Sequence, residues 1–145
     1  MAGAGAGMSH LEYLQRIISG EEQGALVADL IGMRMVEAEP GRVTFELDVG
    51  PQHSSPPGTL HGGILCDLAD AAMGCANLTR LDPDELFTTV ELKINFLKPV
   101  WEGKLTAVGS VIRGGRTIAL TECRVTDDEG SLVAYATSTC MTIRS

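Results

Sequence analysis

The stretch HGGILCDLADAAMGCA, residues 61–76, decides the fold prediction, because two glycines open it and a nearly uninterrupted apolar segment follows. The stretch predicts a helix with apolar residues almost all the way round, which is typical of a helix buried in a core. Burying an ionised carboxylate is costly, so Asp70 in the middle of this helix is a candidate functional residue. The backbone N–H groups of Gly62 and Gly63 begin the helix without intrahelical partners, and they are candidate donors to an oxyanion.

Alternating apolar and polar residues on both sides of this helix predict β-strands. The alternation begins after residue 33, turns at Pro40 and Gly41, and is clearest at residues 42–49. Beyond the helix, which we place at 61–80, it returns in four segments at 90–96, 104–112, 117–126 and 132–143. One long helix and about six hairpin-linked antiparallel strands predict an α+β fold in which the sheet wraps around the helix.

Length and composition predict a single folded core, since 145 residues can bury one without crosslinks. We divide the chain into a flexible tail at 1–8, a helical segment at 9–31 and the main domain at 32–145. The helical segment is expected to cover the core without visible chemistry of its own. The first seven residues alternate Ala and Gly after the initial Met and lack the features of a signal peptide, so we expect a cytoplasmic protein.

Charge and cysteine spacing exclude several classes of function. A formal net charge of −8 argues against nucleic-acid binding, which needs clustered Lys and Arg side chains. Asp67 and Asp70 interrupt the longest apolar stretch, so we expect no membrane span. The four cysteines form no C-x-x-C pair, and no histidine stands at metal-ligand spacing, so no metal site is predicted. A free Cys66 in an apolar helix is interpreted as a small hydrophobic residue rather than a nucleophile.

The motif GTLHGG at 58–63, with Asp70 nine positions after His61, resembles the hot-dog fold thioesterases of the phenylacetyl-CoA and 4-hydroxybenzoyl-CoA thioesterase type. The resemblance continues through TTVELKINFLKP at 88–99 and RGGRTIA at 113–119. It implies a hot-dog fold, with the sheet wrapped around one central helix, and hydrolysis of an acyl-CoA thioester to free acid and coenzyme A. No cofactor is implied, because coenzyme A is part of the substrate.

The resemblance also implies roles for individual residues. By matching positions, Asp70 is the catalytic acid, the Gly62 backbone N–H polarises the carbonyl, and the Thr89 hydroxyl holds water. Asp70 would act either as a general base on water or as a nucleophile that forms a transient anhydride, and the sequence leaves both open. Ser55 stands six positions before His61, where relatives of this type carry Asn, and its hydroxyl could hydrogen-bond water or the thioester.

Helix geometry predicts that two subunits share each site. Gly62 and Asp70 lie eight residues apart, about 12 Å along a helix axis, whereas both must lie about 3 Å from one reacting centre. Two antiparallel helices from two protomers satisfy both distances, so we expect a C2 homodimer and further pairing into a homotetramer. His61 is half a turn out of phase with Asp70. We interpret it as a residue that holds the start of the helix through hydrogen bonds, with proton transfer as the alternative.

Substrate binding requires basic residues for the phosphates of coenzyme A and apolar residues for the acyl group. The candidates at the phosphate end are Lys98, Arg113, Gly114, Gly115, Arg116 and Arg144. Those around the thioester and the acyl group are Gly63, Leu60, Ile64, Met73 and Phe96.

Three other functions compete with hydrolysis. A hot-dog protein could bind acyl-CoA or acyl-carrier protein without hydrolysing it, but an apolar residue at position 70 would make such a binder more stable. A dehydratase would need a histidine that reaches the same carbon as the acid, and His61 points the wrong way. A serine hydrolase is disfavoured because the chain contains no G-x-S-x-G motif.

Overall fold

The computed structural model describes residues 7–145, so most of the predicted tail at 1–8 lies outside the described residues. The elements are α1 (His10–Ser19), α2 (Leu26–Ile31), β1 (Met33–Glu39), β2 (Arg42–Val49), a 3-10 turn (Pro51–His53), α3 (Gly62–Leu78), β3 (Leu86–Phe96), β4 (Gly103–Gly114), β5 (Ile118–Thr126) and β6 (Leu132–Ile143).

The six strands form one sheet in the order β1-β2-β4-β5-β6-β3, and every neighbouring pair is antiparallel. The predicted α+β architecture, about six antiparallel strands around one long helix, is therefore confirmed. β1 and β3 are the edges of the sheet, and α3 makes its most extensive contacts with β4, near the middle.

α3 lies so close to the sheet that one strand position has no room for a side chain. A Cβ atom added to Gly109 of β4 would lie 2.3 Å from both the carbonyl carbon and oxygen of Ala72 and 2.6 Å from the Met73 nitrogen. These are helix backbone atoms, which no rotamer change can move. A glycine at this point of β4 therefore sets how deeply the helix sits in the sheet.

α3 is buried on one side only, which corrects the expectation of a helix buried all the way round. Its fully buried residues face the sheet and include Leu68, Ala69, Ala72, Met73 and Ala76. On the opposite side Asp67 is exposed and Asp70 is half-buried. The sheet curves around the helix without closing over it, so the carboxylates occupy the uncovered side.

The predicted helical segment at 9–31 contains two helices, and Gly20 ends the first of them. Ser9 caps α1 by accepting a hydrogen bond from the Glu12 N–H at 3.1 Å, and Gly20 ends it in the left-handed conformation with φ 85°. α1 buries Tyr13 and Leu14 in the core, whereas no residue of α2 is buried. Among residues 7–145, no helix combines the length and apolar character needed to cross a bilayer.

Candidate active site

Asp70 and Thr89, distant in sequence, meet in the fold. The Thr89 Oγ1–H donates a hydrogen bond of 2.9 Å to Asp70 Oδ1, joining β3 to the open side of α3. A β-bulge at Val90 separates Thr89 from the rest of its strand, and bulges re-aim side chains in this way. The structure thus brings together two of the residues predicted to be catalytic.

Asp67 places a second carboxylate one helical turn before Asp70. Partial desolvation beside the helix, followed by the negative charge of Asp70, raises the pKa of Asp67 above its usual value. The open side of α3 therefore carries two like charges that disfavour each other.

Replacement of Asp67 by Asn is expected to stabilise the fold at neutral pH. An acid whose folded-state pKa is raised destabilises the fold above that pKa, and this effect disappears below the unfolded-state pKa. Urea midpoints of wild type and Asp67→Asn, measured from pH 7 down to pH 4, should therefore differ most at pH 7 and converge as the pH falls. A difference that grows on acidification would contradict the assigned charge repulsion.

The first turn of α3 leaves one backbone donor free. His61 caps the helix, and its Nδ1 accepts the Gly63 N–H at 2.9 Å, so Gly63 has its donor engaged. The Gly62 N–H finds no acceptor among residues 7–145. His61 is turned toward Gly63, as expected of a residue that holds the helix start. The donor available to an oxyanion at this end is therefore that of Gly62.

The loop before α3 is held by hydrogen bonds within itself. The Ser55 Oγ–H donates to the Thr59 carbonyl at 2.9 Å, and the Ser55 N–H donates to the same oxygen at 2.7 Å. The backbone of His61 in turn donates to the His53 carbonyl at 2.8 Å. The Ser55 hydroxyl is therefore engaged in closing this loop.

His53 is a site-organising residue that sequence reasoning missed. Its Nδ1 accepts the Gly50 N–H at 3.0 Å, so its Nε2 carries the proton and donates to the Ile31 carbonyl at 2.6 Å. This buried ring ties the end of α2 to the loop that enters α3. Nothing in the spacing of the sequence links positions 31 and 53, so only the fold shows the contact.

An apolar cavity of about 860 Å³ opens beside Asp70 and Asp67. The N-terminal helices, β1, β2, α3 and β3 form its walls, and its apolar lining includes Tyr13, Leu14, Ile17, Met33, Phe45 and Phe87. The segment expected to be only a cover thus also forms a wall of this cavity. That contribution is invisible in the sequence, because the spacing of α1 does not say which part of the core it covers.

The residues predicted for the acyl end are placed elsewhere. Leu60 and Met73 are buried in the core, Ile64 packs against it, and none of the three lines this cavity. Phe96 lies over the start of α3, where a Cβ added to Gly62 would come within 2.9 Å of its ring. Apolar character alone did not distinguish the core from the cavity lining.

The predicted phosphate-binding residues divide into engaged and free cations. Lys98 pairs with Asp127 at 2.5 Å, and Arg144 pairs with Glu85 at 2.7 Å. Arg113 and Arg116 are exposed, and neither has an ion-pair partner within the described part of the chain. These two guanidinium groups remain free to meet an anion.

Packing against Arg80 explains why glycine is needed at position 114 of the Gly114-Gly115 turn. A Cβ on Gly114 would lie 2.1 Å from Arg80 Nε, and the Arg80 guanidinium donates to the Gly115 carbonyl. Arg80 follows the last turn of α3, so the Gly114-Gly115 turn lies at the C-terminal end of the helix, whereas Gly62 lies at its N-terminal end. In an antiparallel pair of helices, the C-terminal end of one helix would lie beside the first turn of its partner.

Thiol chemistry is disfavoured at the site. Burial and then the charge of Asp70 raise the pKa of Cys75 to about 12, and burial likewise raises the pKa of Cys66. Both thiols are therefore protonated at neutral pH. Among residues 7–145, no group of three or more His, Cys, Asp or Glu side chains forms a metal-ligating cluster.

Comparison with known proteins identifies the family. A family model described as the thioesterase superfamily matches residues 57–134, which include the first turn of α3, Asp70 and Thr89. The chain belongs to the thioesterase superfamily. The predicted family and the prediction of a thioester hydrolase are therefore confirmed.

Individual relatives cover most of the chain. Human acyl-coenzyme A thioesterase 13 is 30% identical over 136 residues, 90% of this chain and 95% of that protein. The 1,4-dihydroxy-2-naphthoyl-CoA hydrolase of Listeria monocytogenes is 29% identical over 111 residues, 77% of this chain and 90% of that protein. A solved thioesterase family protein from Silicibacter pomeroyi superposes with a TM-score of 0.81 at 26% identity, covering 91% of this chain and 99% of that one.

Proposed function

We propose that this thioesterase hydrolyses acyl-CoA thioesters at a site shared by two protomers, with Asp70 from one and the Gly62 N–H from the other. The observation that carries this proposal is that the free Gly62 donor and the Thr89-bound carboxylate lie on the same helix. Two helical turns, about 12 Å, separate the two groups, so within a single chain they cannot both contact one carbonyl group. The human relative is named for action on acyl-coenzyme A, which supports the substrate class.

The chemistry follows from what each group can do. The Gly62 N–H donates to the carbonyl oxygen as negative charge develops there, a contribution of about 3 to 4 kcal/mol for one preorganised donor. Asp70 either takes a proton from the water that attacks the carbonyl carbon or attacks it directly to form an anhydride that water then opens. Both routes release the coenzyme A thiolate and consume one water. Neither route requires a cofactor.

The β3 edge supports the homodimer. β3 pairs with β6 on one side, and its other side has no strand partner among residues 7–145, while Val90 and Phe96 on it are 52% and 54% exposed. An apolar edge strand of this length is an aggregation hazard unless another strand covers it. Antiparallel pairing of two β3 strands about a two-fold axis would cover both edges and set the two α3 helices antiparallel.

The cavity and the free cations suggest how the substrate lies. The apolar cavity beside Asp70 would hold the acyl group, which favours apolar acyl chains or rings over acetyl. Arg113 and Arg116 would bind the phosphates of coenzyme A from the turn that lies, in an antiparallel pair, beside the partner's first helical turn.

A subunit-mixing experiment tests the shared site. Gly62→Pro removes the N–H donor at the first helical position, where proline is well accommodated, and the extended φ and ψ of His61 (−66° and 133°) suit a following proline. Mixed with Asp70→Asn subunits, it would leave each heterodimer one intact site of two. At equal proportions, random exchange should restore about a quarter of wild-type activity, although both parents are nearly inactive.

Gly62→Ala is the matched control, because it crowds Phe96 in the same place but keeps the N–H donor. It should retain most of the wild-type rate, whereas Gly62→Pro loses about a hundredfold or more. Verified subunit exchange without any recovery of activity would show that each chain carries its own complete site.

Thiol release measured on acetyl, medium-chain, long-chain and aryl-acetyl CoA esters tests the reaction itself. We expect turnover, with higher kcat/KM for esters whose acyl group fills the apolar cavity. Tight binding of these esters without thiol release would instead favour the non-catalytic acyl-CoA or acyl-carrier-protein binding alternative.

A further inference from the structure

A line of buried polar side chains continues from Thr89 into the sheet beneath α3. Cys140 of β6 stands directly opposite Thr89, and Ser138, two residues earlier on the same strand, faces the same side. Thr121 of β5 stands directly opposite Ser138. Thr121 and Ser138 are fully buried, and Cys140 is nearly so. Polar residues at three adjoining positions of a mainly apolar sheet face need an explanation.

These side chains are joined by hydrogen bonds. Thr121 Oγ1 and Ser138 Oγ lie 2.5 Å apart, and Ser138 Oγ lies 3.9 Å from Cys140 Sγ. Cys140 stands directly opposite Thr89, so the two side chains are cross-strand neighbours, and the Thr89 Oγ1–H is donated to Asp70 at 2.9 Å. The polar residues therefore form one row of neighbouring side chains, hereafter the polar row, that runs from Thr121 through Ser138 and Cys140 to Thr89.

Only the end of this row at Asp70 has a fixed donor. The Asp70 carboxylate accepts, so Thr89 donates its proton there and presents only lone pairs to Cys140. Burial raises the pKa of Cys140, so its thiol stays protonated beside Thr89. Deeper in the sheet, Thr121 Oγ1 donates to the Ser138 carbonyl at 3.3 Å and also lies against the Ser138 hydroxyl, which in turn contacts the Cys140 sulfur. The buried side chains therefore restrain one another up to the neighbour of Thr89.

We propose that Thr121, Ser138 and Cys140 are positioning residues of the thioesterase site, which hold the Thr89 hydroxyl in the orientation that presents Asp70 for catalysis. This inference rests on the proposed role of Asp70. None of the three residues lines the cavity beside Asp70, and Cys140 meets the site at Thr89, its partner across the strand pair. Their effect is expected on kcat rather than on substrate binding.

Cys140→Ala interrupts the polar row between Ser138 and Thr89, and Cys140→Ser restores a hydrogen-bond donor at the same place. We expect Cys140→Ala to lower kcat about fivefold with KM within a factor of two, in line with the loss of one hydrogen bond. Cys140→Ser should recover kcat to within about twofold of wild type. Cys123→Ala is the matched control, because Cys123 is fully buried on the same side of β5 as Thr121 but lies outside the polar row. It should leave kcat unchanged.

A double-mutant cycle separates positioning from mere packing. Because Cys140 acts through Thr89, Cys140→Ala should change kcat by less than twofold in a Thr89→Val background, although each single variant is slower than wild type. Additive losses, or an equal loss in Cys123→Ala, would overturn the positioning role. So would normal kcat in Cys140→Ala. A wild-type protein that released no thiol would instead overturn the proposed function itself and the positioning role with it.

Discussion

Asp70→Asn is expected to lower kcat for thiol release by about a thousandfold, within the usual range for removal of a general base or nucleophile. The amide oxygen of Asn can still accept the Thr89 hydrogen bond that Asp70 accepts at 2.9 Å, so the fold should be retained. The amide can neither take a proton from water nor attack the carbonyl. The measurement is steady-state thiol release, with circular dichroism to show that the variant is folded.

Asp67→Asn is the control for this loss, since it removes the neighbouring carboxylate by the same chemical change one turn away. We expect its kcat to stay within a few-fold of wild type, because Asp67 accepts no hydrogen bond from Thr89 and is exposed. Equal losses in the two variants would show that the local charge matters rather than the identity of one carboxylate. Full activity in Asp70→Asn would remove Asp70 from the mechanism.

Gly109→Ala is expected to destabilise the fold by about 3 kcal/mol or more, the upper range for overpacking a core. The new methyl group would lie 2.3 Å from two backbone atoms of Ala72, so either β4 or α3 must move. The urea midpoint should fall while the slope of the transition stays similar. Because α3 carries Asp70, we also expect lower activity in the variant even where it remains folded.

Gly24→Ala provides a matched comparison with the same added atom in a different environment. Its methyl group would meet only Ile17 Cγ2, at 3.1 Å, and that side chain can shift. Its midpoint should stay close to that of wild type. Equal midpoints for Gly109→Ala and wild type would show that the helix has more freedom against the sheet than the structure indicates.

Periodicity was sufficient for the secondary structure because each signal is local. The apolar run predicted a helix at 61–80, and α3 spans Gly62–Leu78. The alternation at 42–49 coincides with β2, and Pro40 and Gly41 form the turn before it. These patterns depend on neighbours within a few residues, which the sequence shows directly.

Residue types also pointed to roles that depend on distant partners, and here the sequence was less informative. The two glycines at 114 and 115 predicted a turn that a phosphate can approach, and only the fold shows that Arg80 packs against the same turn. The apolar character of Met73 fitted both a tunnel and a core, and the fold places it in the core. His53 had no recognisable spacing, although it links the end of α2 to the start of α3.

By itself, the sequence determined the strands, the central helix and the family. Those conclusions need only local periodicity and a motif. Tertiary structure decided that Thr89 binds Asp70, that the N-terminal helices form walls of the cavity and that Cys140, Ser138 and Thr121 lie in a buried row beside Thr89. Such contacts depend on the register between strands and on side-chain direction, which no local pattern encodes.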